Sequence, residues 1–275
     1  MFTLNCKGRL LVVEKPLLMG IINVTPDSFY AGNRLSGVDS ILTLAEKMLL
    51  EGADILDIGG QSTRPGSERI SADEELKRIL PAISMVIKKF PEALISVDTF
   101  YSKVAAEAVA AGASIINDIS AGSLDNRMIE TVSALQVPYV LMHMKGTPQT
   151  MQQSPVYENV TREVLDFFIA KMQELKTAGI RDIILDPGFG FGKTISHNFE
   201  LLRNLSVFKM TGRPVMLGVS RKSTIYKTLG VTPEEALNGT TVLNTIALVH
   251  GASILRVHDV KEAKEAVTLF CEMKK

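Results

Sequence analysis

The chain has 275 residues, of which 46% are hydrophobic and 22% charged, which excludes a disordered chain and provides for a large core. Lys and Arg together number 30, as do Asp and Glu, and the absence of a basic excess argues against a nucleic-acid binder. Cys6 and Cys271 are the only cysteines in the sequence, which excludes a disulfide framework. Neither a run of ~20 apolar residues nor the apolar run of a signal peptide occurs. We therefore expect a cytoplasmic protein.

Short apolar runs alternate along the chain with longer amphipathic segments. Several runs are rich in β-branched residues and apolar at consecutive positions, which is typical of parallel strands buried on both faces. The predicted strands are Leu17–Val24, Ala53–Gly59, Ala93–Val97, Ser114–Ile119, Pro138–Met142, Asp182–Leu185, Pro214–Val219 and Ala252–Val257.

The segments between these runs have apolar residues at spacings of three and four, which predicts helices. They are Ser40–Leu50, Glu74–Lys89, Lys103–Ala111, Leu124–Leu135, Tyr157–Ala178, Phe199–Met210, Pro233–Val249 and Lys261–Met273. Eight strand–helix repeats favour a single (β/α)₈ TIM barrel over residues 1–275, with residues 1–16 as a hairpin at its bottom. The alternative is an open doubly wound sheet, but the first turn lacks the glycine-rich motif of that fold.

Each apolar run ends in polar or charged residues. In a parallel barrel all these endings lie at the C-terminal face, where catalytic groups of such enzymes are found. One polar strand ending could be a buried group that has found a hydrogen-bond partner, but eight at equivalent positions predict an active site. The endings are Asn23, Asp57, Asp98, Asn117, His143, Asp186, Ser220 with Arg221 and Lys222, and Arg256 with His258.

Two local motifs suggest other enzyme classes, and both fail on spacing. A phosphate-binding loop needs a glycine five positions before its Gly-Lys pair, and Pro187 stands there instead. A serine-hydrolase elbow around Ser220 would need a glycine at Lys222. The glycine-rich turn after Asp186 instead indicates a backbone that approaches a flat ligand. The adjacent cations Arg221 and Lys222 favour an anionic or carbonyl-bearing ligand.

The four histidines do not have the spacing of a zinc site, so a transition metal is not expected. Arg256 and His258 directly precede a predicted helix start near Val260, which predicts an anion site. Residues 59–66, with three glycines and a proline, indicate a loop that closes over substrate.

Several of these segments together closely resemble dihydropteroate synthases of the pterin-binding family. The resemblance extends from about Met19 to Val260. The segments that carry it are Asn23–Phe29 (NVTPDSF), Ser62–Gly66 (STRPG), Asp98, Asn117-Asp118, Asp186–Lys193, Ser220–Ser223 (SRKS) and Arg256–His258.

The resemblance implies an enzyme that condenses 6-hydroxymethyl-7,8-dihydropterin pyrophosphate with p-aminobenzoate to give 7,8-dihydropteroate and pyrophosphate. It also implies Mg²⁺, held near Asn23, and a homodimer. The implied roles are as follows: catalysis by Asp98, Asp186, Lys222 and Arg64; pterin binding by Asp98, Asn117, Met142, Asp186, Phe191 and Lys222; pyrophosphate binding by Asn23, Arg256 and His258; aminobenzoate binding by Phe29, Thr63, Arg64, Pro65, Ser220 and Lys222.

The chain departs from the common family pattern in its two loops. Tyr30 and Ala31 stand where Ser and Asp are common, and Gln61 is neutral where many relatives have Glu. These changes leave sulfonamide sensitivity open.

The rival class is the pterin-binding methyltransferase barrel, which needs neither STRPG nor SRKS. A non-enzymatic scaffold is the other alternative, but it would have lost strand-end residues. Two endings have no role by resemblance, and we expect Asp57 to support the second loop's base and His143 the pocket wall.

Overall fold

The structure, a computed structural model, describes residues 1–24, 34–61, 68–147, 151 and 155–275. It opens with an antiparallel hairpin of β1 (Phe2–Cys6) and β2 (Arg9–Val13), whose register pairs Cys6 with Arg9. The short turn is compatible with the positive φ of Lys7 and Gly8. The hairpin predicted for residues 1–16 is thus present.

Eight parallel strands follow, one for each predicted apolar run, and they form one sheet in the order β8-β7-β6-β5-β4-β3-β10-β9. They are β3 (Leu17–Asn23), β4 (Ile55–Gly59), β5 (Leu94–Asp98), β6 (Ile115–Asp118), β7 (Tyr139–Met142), β8 (Ile183–Asp186), β9 (Met216–Leu217) and β10 (Ile254–Val257).

The sheet closes on itself beside its shortest strand, β9. A parallel bridge joins Leu185 of β8 to Val215, and the Leu185 N–H donates to the carbonyl of Pro214 at 2.9 Å. The predicted TIM barrel with its N-terminal hairpin is therefore confirmed, and the open doubly wound sheet is excluded.

Helices separate the strands and cover the outside of the barrel. They are α1 (Arg34–Leu50), α2 (Ala72–Lys89), α3 (Ser102–Ala111), α4 (Met128–Leu135), α5 (Val160–Thr177), α6 (Ile195–Arg203), a 3₁₀ helix (Leu205–Thr211), α7 (Ser223–Leu229), α8 (Leu237–Val249) and α9 (Val260–Met273). Among the helices that the structure describes, none is long and apolar enough to cross a membrane.

Two helix predictions were wrong in detail. The single helix predicted over Phe199–Met210 is α6 followed by the 3₁₀ helix, because the apolar spacing runs through the junction at Asn204 without a break. The helix predicted over Pro233–Val249 begins only at Leu237, and α7 before it was not predicted at all. Only seven residues long, α7 offers too little apolar periodicity to be detected.

Two apolar layers place the polar strand ends at one end of the barrel. The main layer lies between the strands and the helices. A second cluster fills the opposite end, where Leu4, Cys6 and Val13 of the hairpin pack against the first residues of the barrel strands, such as Met19 and Ile55. Because the hairpin closes that end, a ligand has access only to the C-terminal face.

Candidate active site

The register of the sheet brings the predicted strand-end residues to one level. Asn23 pairs with Gly59, Gly59 with Asp98, and Asp98 with Asn117. Further round the barrel, Met142 of β7 pairs with Asp186 of β8. The structure thus gathers at one face the polar side chains that sequence analysis selected.

Arg256 of β10 joins two carboxylates from neighbouring strands. Its Nε donates to Oδ2 of Asp57 at 2.6 Å, and its Nη2 donates to Oδ2 of Asp98 at 2.7 Å. The amide of Asn117 also donates to Oδ2 of Asp57, at 3.0 Å. Among the described residues the carboxylate of Asp57 thus binds Arg256 and Asn117. The expectation that Asp57 supports the second loop's base stays a prediction, because residues 62–67 of that loop lie outside the described residues.

Burial decides the electrostatics of this network. It raises the pKa of Asp98 to about 7, the Arg256 charge opposes that rise, and the nearby Asp57 carboxylate adds to it. For Arg256, burial alone would lower the pKa, but the two carboxylates hold it above its usual value. The guanidinium is therefore permanently charged, whereas Asp98 is poised to change its charge near neutrality.

Lys222, at the N-terminus of α7, reaches back to the loop after β8. Its ammonium donates to the carbonyl of Phe189 and lies 4.7 Å from the centre of the Phe191 ring, a cation–π contact. Burial lowers the pKa of Lys222 to about 8, although Asp186 opposes the shift. Asp186, whose own pKa is raised by burial, accepts the N–H of Gly188 at 2.7 Å.

An apolar surface adjoins these polar groups. Met142, predicted to bind pterin, belongs to a small buried cluster with Phe100 and Ile119. Phe191, also predicted to bind pterin, is partly buried and packs against that cluster. Sequence analysis missed Phe100 and Ile119, although each follows a selected strand end by two residues. Buried apolar side chains beside strand ends are the available signal, but it does not distinguish a ligand surface from ordinary core.

Ser220 and His258 form a pair at the ends of neighbouring strands. The Ser220 hydroxyl lies 3.0 Å from Nδ1 of His258 and accepts the backbone N–H of His258 at 3.2 Å. Burial, assisted by the charge of Arg256, lowers the pKa of His258 to about 4. If the hydroxyl donates to Nδ1, the neutral ring carries its proton on Nε2 and can donate it to a ligand.

Arg221 does not join Lys222 in the site, so the expectation of two adjacent cations facing a ligand was wrong. Its guanidinium forms a bidentate pair with Asp259, with both N–O distances 2.9 Å. It also donates to the carbonyls of Pro233 and Glu234. Arg221 has a positive φ of 53°, and this turn directs the two neighbouring side chains to different partners.

The predicted aminobenzoate residues lie mostly outside the described residues: Phe29, Thr63, Arg64 and Pro65, together with Tyr30 and Ala31. Gln61 is described and buried. Its amide nitrogen donates to the carbonyl of Glu68 at 3.1 Å, and its oxygen accepts the N–H of Ile70 at 3.0 Å. A neutral amide can both donate and accept, whereas an ionised Glu could only accept.

The face of the barrel that carries the site offers few oxygen ligands for the implied magnesium ion. Among the described residues, no group of three or more His, Cys, Asp and Glu side chains could hold a metal ion. Mg²⁺ typically keeps several waters and takes few protein oxygens beside substrate phosphates. The exposed side chain of Asn23, at the rim of the barrel, is such a donor. A single amide donor such as Asn23 fits a magnesium ion whose other ligands are water and the phosphate oxygens of a bound substrate.

Comparison with known proteins gives first the class of this barrel. Residues 19–258 match the family of pterin binding enzymes, and the match covers most of the chain. The site within this range has the buried carboxylates, amide and lysine at the strand ends that the motifs predicted. The structure is therefore a pterin-binding barrel.

The relatives identify the branch of that class. Dihydropteroate synthase of Escherichia coli (strain K12) is 43% identical over 266 residues, covering 96% of this chain and 94% of that protein. The structure of Xanthomonas albilineans dihydropteroate synthase with 4-aminobenzoic acid has a TM-score of 0.92 and 39% identity, and covers 99% of this chain and 98% of that one. The same organism's enzyme in complex with 7,8-dihydropteroate has a TM-score of 0.89 and 37% identity, with 99% and 98% coverage. The chain belongs to the dihydropteroate synthase family.

Proposed function

We propose that this chain joins 6-hydroxymethyl-7,8-dihydropterin pyrophosphate to p-aminobenzoate, giving 7,8-dihydropteroate and pyrophosphate. The observation that carries the proposal is that Asp98, Asn117, Asp186 and Lys222 lie at one face of the barrel beside the apolar side chains of Met142 and Phe191. A pterin is a flat ring with a polar edge of donors and acceptors, and it matches a pocket with this division.

The pterin edge is recognised by charge as well as shape. The carboxylate of Asp186 accepts ring N–H and amino protons, and the ammonium of Lys222 donates to ring acceptors. Asp186 is buried and Lys222 is partly buried, and hydrogen bonds with a charged member are about twice as strong as neutral ones. Asn117, itself held by Asp57, completes the edge. Phe191 supplies the face on which the ring stacks.

The pyrophosphate end lies on the other side of Asp98. Arg256 lies on β10, His258 directly follows the end of that strand, and α9 begins two residues later at Val260. We assign the pyrophosphate to these two side chains and to Asn23, the last residue of the neighbouring strand β3. Nε2 of a neutral His258 donates to a phosphate oxygen, and the adjacent helix N-terminus favours a negative charge there.

The reaction transfers the exocyclic carbon of the pterin from oxygen to nitrogen. The C–O bond breaks, and pyrophosphate leaves with the bonding electrons. The amine nitrogen of p-aminobenzoate then supplies the electron pair of the new C–N bond and loses a proton to solvent. The carbon is cationic between the two events, and the fixed carboxylates of Asp98 and Asp186 stabilise that charge. No covalent nucleophile of the protein is needed.

Magnesium and the two loops complete the proposal. When bound near Asn23, Mg²⁺ neutralises charge on the departing pyrophosphate. We assign the aminobenzoate to Ser220 and Lys222 together with Phe29, Thr63, Arg64 and Pro65, of which the last four come from the family resemblance alone. Arg64 is also proposed to be catalytic on that basis. The homodimer and the cytoplasmic location stay predictions for this chain.

Pyrophosphate release tests the proposed function. Purified protein is incubated with the pterin pyrophosphate, p-aminobenzoate and Mg²⁺, and each component is omitted in turn. We expect release only when all three are present. Release without p-aminobenzoate would indicate a hydrolase instead, and no release under any condition would refute the synthase.

The charge of Lys222 predicts an alkaline limit to activity. Burial lowers the pKa of Lys222 to about 8, so the donating ammonium is present below that pH and is lost above it. We expect kcat/KM for the pterin pyrophosphate to fall about tenfold per pH unit above pH 8, since kcat/KM reports the free enzyme. Lys222→Arg, which stays charged, is the control. A profile flat to pH 10 in the wild type would contradict this prediction.

Asp186→Asn separates the two substrates. The substitution keeps an acceptor for Gly188 but removes the charge, and we expect pterin affinity to fall about tenfold or more. Aminobenzoate binding is expected to change less than about twofold. Isothermal titration with each ligand measures both effects. The matched control is Asp182→Asn, because Asp182 lies just before β8 at the opposite end and binds the hairpin through Asn5. Equal losses for both ligands would contradict this division of the site.

A further inference from the structure

The loop between β8 and α6 is folded around the ammonium group of a buried lysine, Lys193, whose side chain is only 3% exposed. Its Nζ lies 3.1 Å from the carbonyl of Gly188 and 3.0 Å from that of Phe191, both in its own loop. It also lies 3.0 Å from Nδ1 and 3.3 Å from the carbonyl of His143, just after β7. The lysine thus ties two neighbouring strand ends together.

The backbone of this loop leaves little freedom for another arrangement. Gly188 and Gly192 have φ values of 68° and 60°, in the left-handed region that favours glycine. A Cβ atom on Gly188 would lie 1.8 Å from the carbonyl oxygen of His143, and one on Gly192 would lie 2.3 Å from that of Lys145. The loop therefore rests directly on the backbone that follows β7, at the place where Lys193 crosses between them.

The partners of Lys193 are neutral. They are three carbonyl oxygens and an imidazole nitrogen, and no described residue forms a salt bridge with it. Burial lowers the pKa of Lys193 to about 7, although the charge of Asp186 opposes the shift. Burying an ammonium that forms no direct ion pair costs free energy. An apolar residue would fill the same space without that cost. Packing alone therefore does not explain a lysine here.

The same loop sets the position of Lys222. The carbonyl of Phe189 accepts the Lys222 ammonium, and the Phe191 ring lies beneath it. Both residues lie between Gly188 and Lys193, the two ends of the segment that the Lys193 ammonium closes. A shift of this segment would move the acceptor and the ring that hold Lys222. The hydrogen bonds of Lys193 go to this loop and to His143, and its charge acts on Asp186 and Lys222 without a direct bond to either.

We propose that Lys193 is a positioning residue: by joining the loop after β8 to His143, it holds Phe189 and Phe191 against Lys222. Sequence analysis expected His143 to support the pocket wall, and the loop contact adds a second role. The ring packs edge-to-face on Phe167 at 4.9 Å and serves as an acceptor. Its Nδ1 accepts from the ammonium, so the neutral ring carries its proton on Nε2.

The first test uses Lys193→Met, which keeps the length of the side chain and removes its donors. The positioning role rests on the proposed function, so wild-type synthesis of dihydropteroate is established first. We expect kcat/KM for the pterin pyrophosphate to fall at least about tenfold, with KM for p-aminobenzoate changed less than about twofold. Lys193→Arg, which retains donors, is expected to recover part of the loss. Lys145→Met is the control, since that neighbouring lysine is half exposed and pairs with Glu163.

Two readouts distinguish positioning from a general loss of structure. In Lys193→Met the alkaline limit set by Lys222, whose charged neighbours are Asp186, Arg256 and Asp98, is expected to move upward, because the positive charge of Lys193 is removed and because water reaches the Lys222 ammonium. Lys193→Arg keeps the charge, so a smaller shift in that variant measures the contribution of the charge. Nitrogen-15 NMR of His143 is expected to show an accepting Nδ1 in the wild type and its loss in the variant, whether or not the enzyme is active. An active wild type with unchanged kcat/KM in Lys193→Met would overturn the positioning role alone. An inactive wild type with the expected His143 signals would refute the proposed function and leave the loop contact intact.

Discussion

Replacement of Lys222 by alanine is expected to reduce kcat/KM by about a hundredfold or more while leaving the fold intact. The expectation follows from position: the ammonium lies among Asp186, Asp98 and Arg256, and it belongs to none of the apolar clusters. Loss of one fixed donor in a water-excluded site costs about two to three orders of magnitude in rate. Steady-state kinetics at pH 7 measure the loss, and circular dichroism checks the fold.

The control for this substitution lies on the same helix. Lys227 is in the last turn of α7 and is exposed, so Lys227→Ala changes the same charge without touching the site. We expect its kinetics to equal those of the wild type. Near-normal turnover of Lys222→Ala would remove Lys222 from the catalytic set and would weaken the pterin pocket as a whole.

The second large effect is on stability. Arg256→Gln is expected to lower the free energy of unfolding by about 3–5 kcal/mol at pH 8, because it leaves the carboxylates of Asp57 and Asp98 buried without their cation. Pyrophosphate binding is expected to be lost with it. Adding Asp57→Asn is expected to recover part of the stability, since one buried charge is removed, but not the activity. Chemical denaturation of the single and double variants measures the coupling.

The pH dependence of this loss has a defined sign. The pKa of Asp98 is raised by burial to about 7 even beside Arg256, and removing the cation raises it further. A carboxyl whose folded-state pKa lies above its unfolded value costs stability as pH rises from the unfolded pKa to the folded one. Because the variant has the higher folded pKa, its extra loss of stability relative to the wild type grows as pH rises above about 7. Arg162→Gln is the control, because its pair with Asp166 is exposed and worth less than about 1 kcal/mol. A loss that does not change with pH would contradict the ionic explanation.

The barrel and the outline of the site could be predicted because the relevant information is local in sequence. Asp98, Asn117 and Asp186 each end an apolar run, and the topology of a parallel barrel then places every run's end at one face. The structure agrees at all three positions. A role for each residue needed the family resemblance as well, since position alone does not name a ligand.

The partners of these residues could not be predicted because they depend on distant closure and on turn geometry. Asp57 and Arg256 are 199 residues apart and meet only when β10 pairs with β3. Arg221 and Lys222 are adjacent, yet the positive φ of Arg221 separates their side chains. Lys193 entered the sequence analysis only through the rejected phosphate loop and as the last residue of the Asp186–Lys193 motif. Its four acceptors could not be predicted, because they come together only when the glycine turns bring carbonyls inward.

The most direct test of the synthase is to follow nitrogen from p-aminobenzoate into the product. With ¹⁵N-labelled p-aminobenzoate, the pterin pyrophosphate and Mg²⁺, mass spectrometry of the wild-type reaction is expected to show ¹⁵N-7,8-dihydropteroate in one-to-one amount with pyrophosphate. Asp186→Asn is expected to form both more slowly and in the same ratio. Pyrophosphate without labelled dihydropteroate would contradict the account, because it would mean that the pterin cation is captured by water and not by the amine.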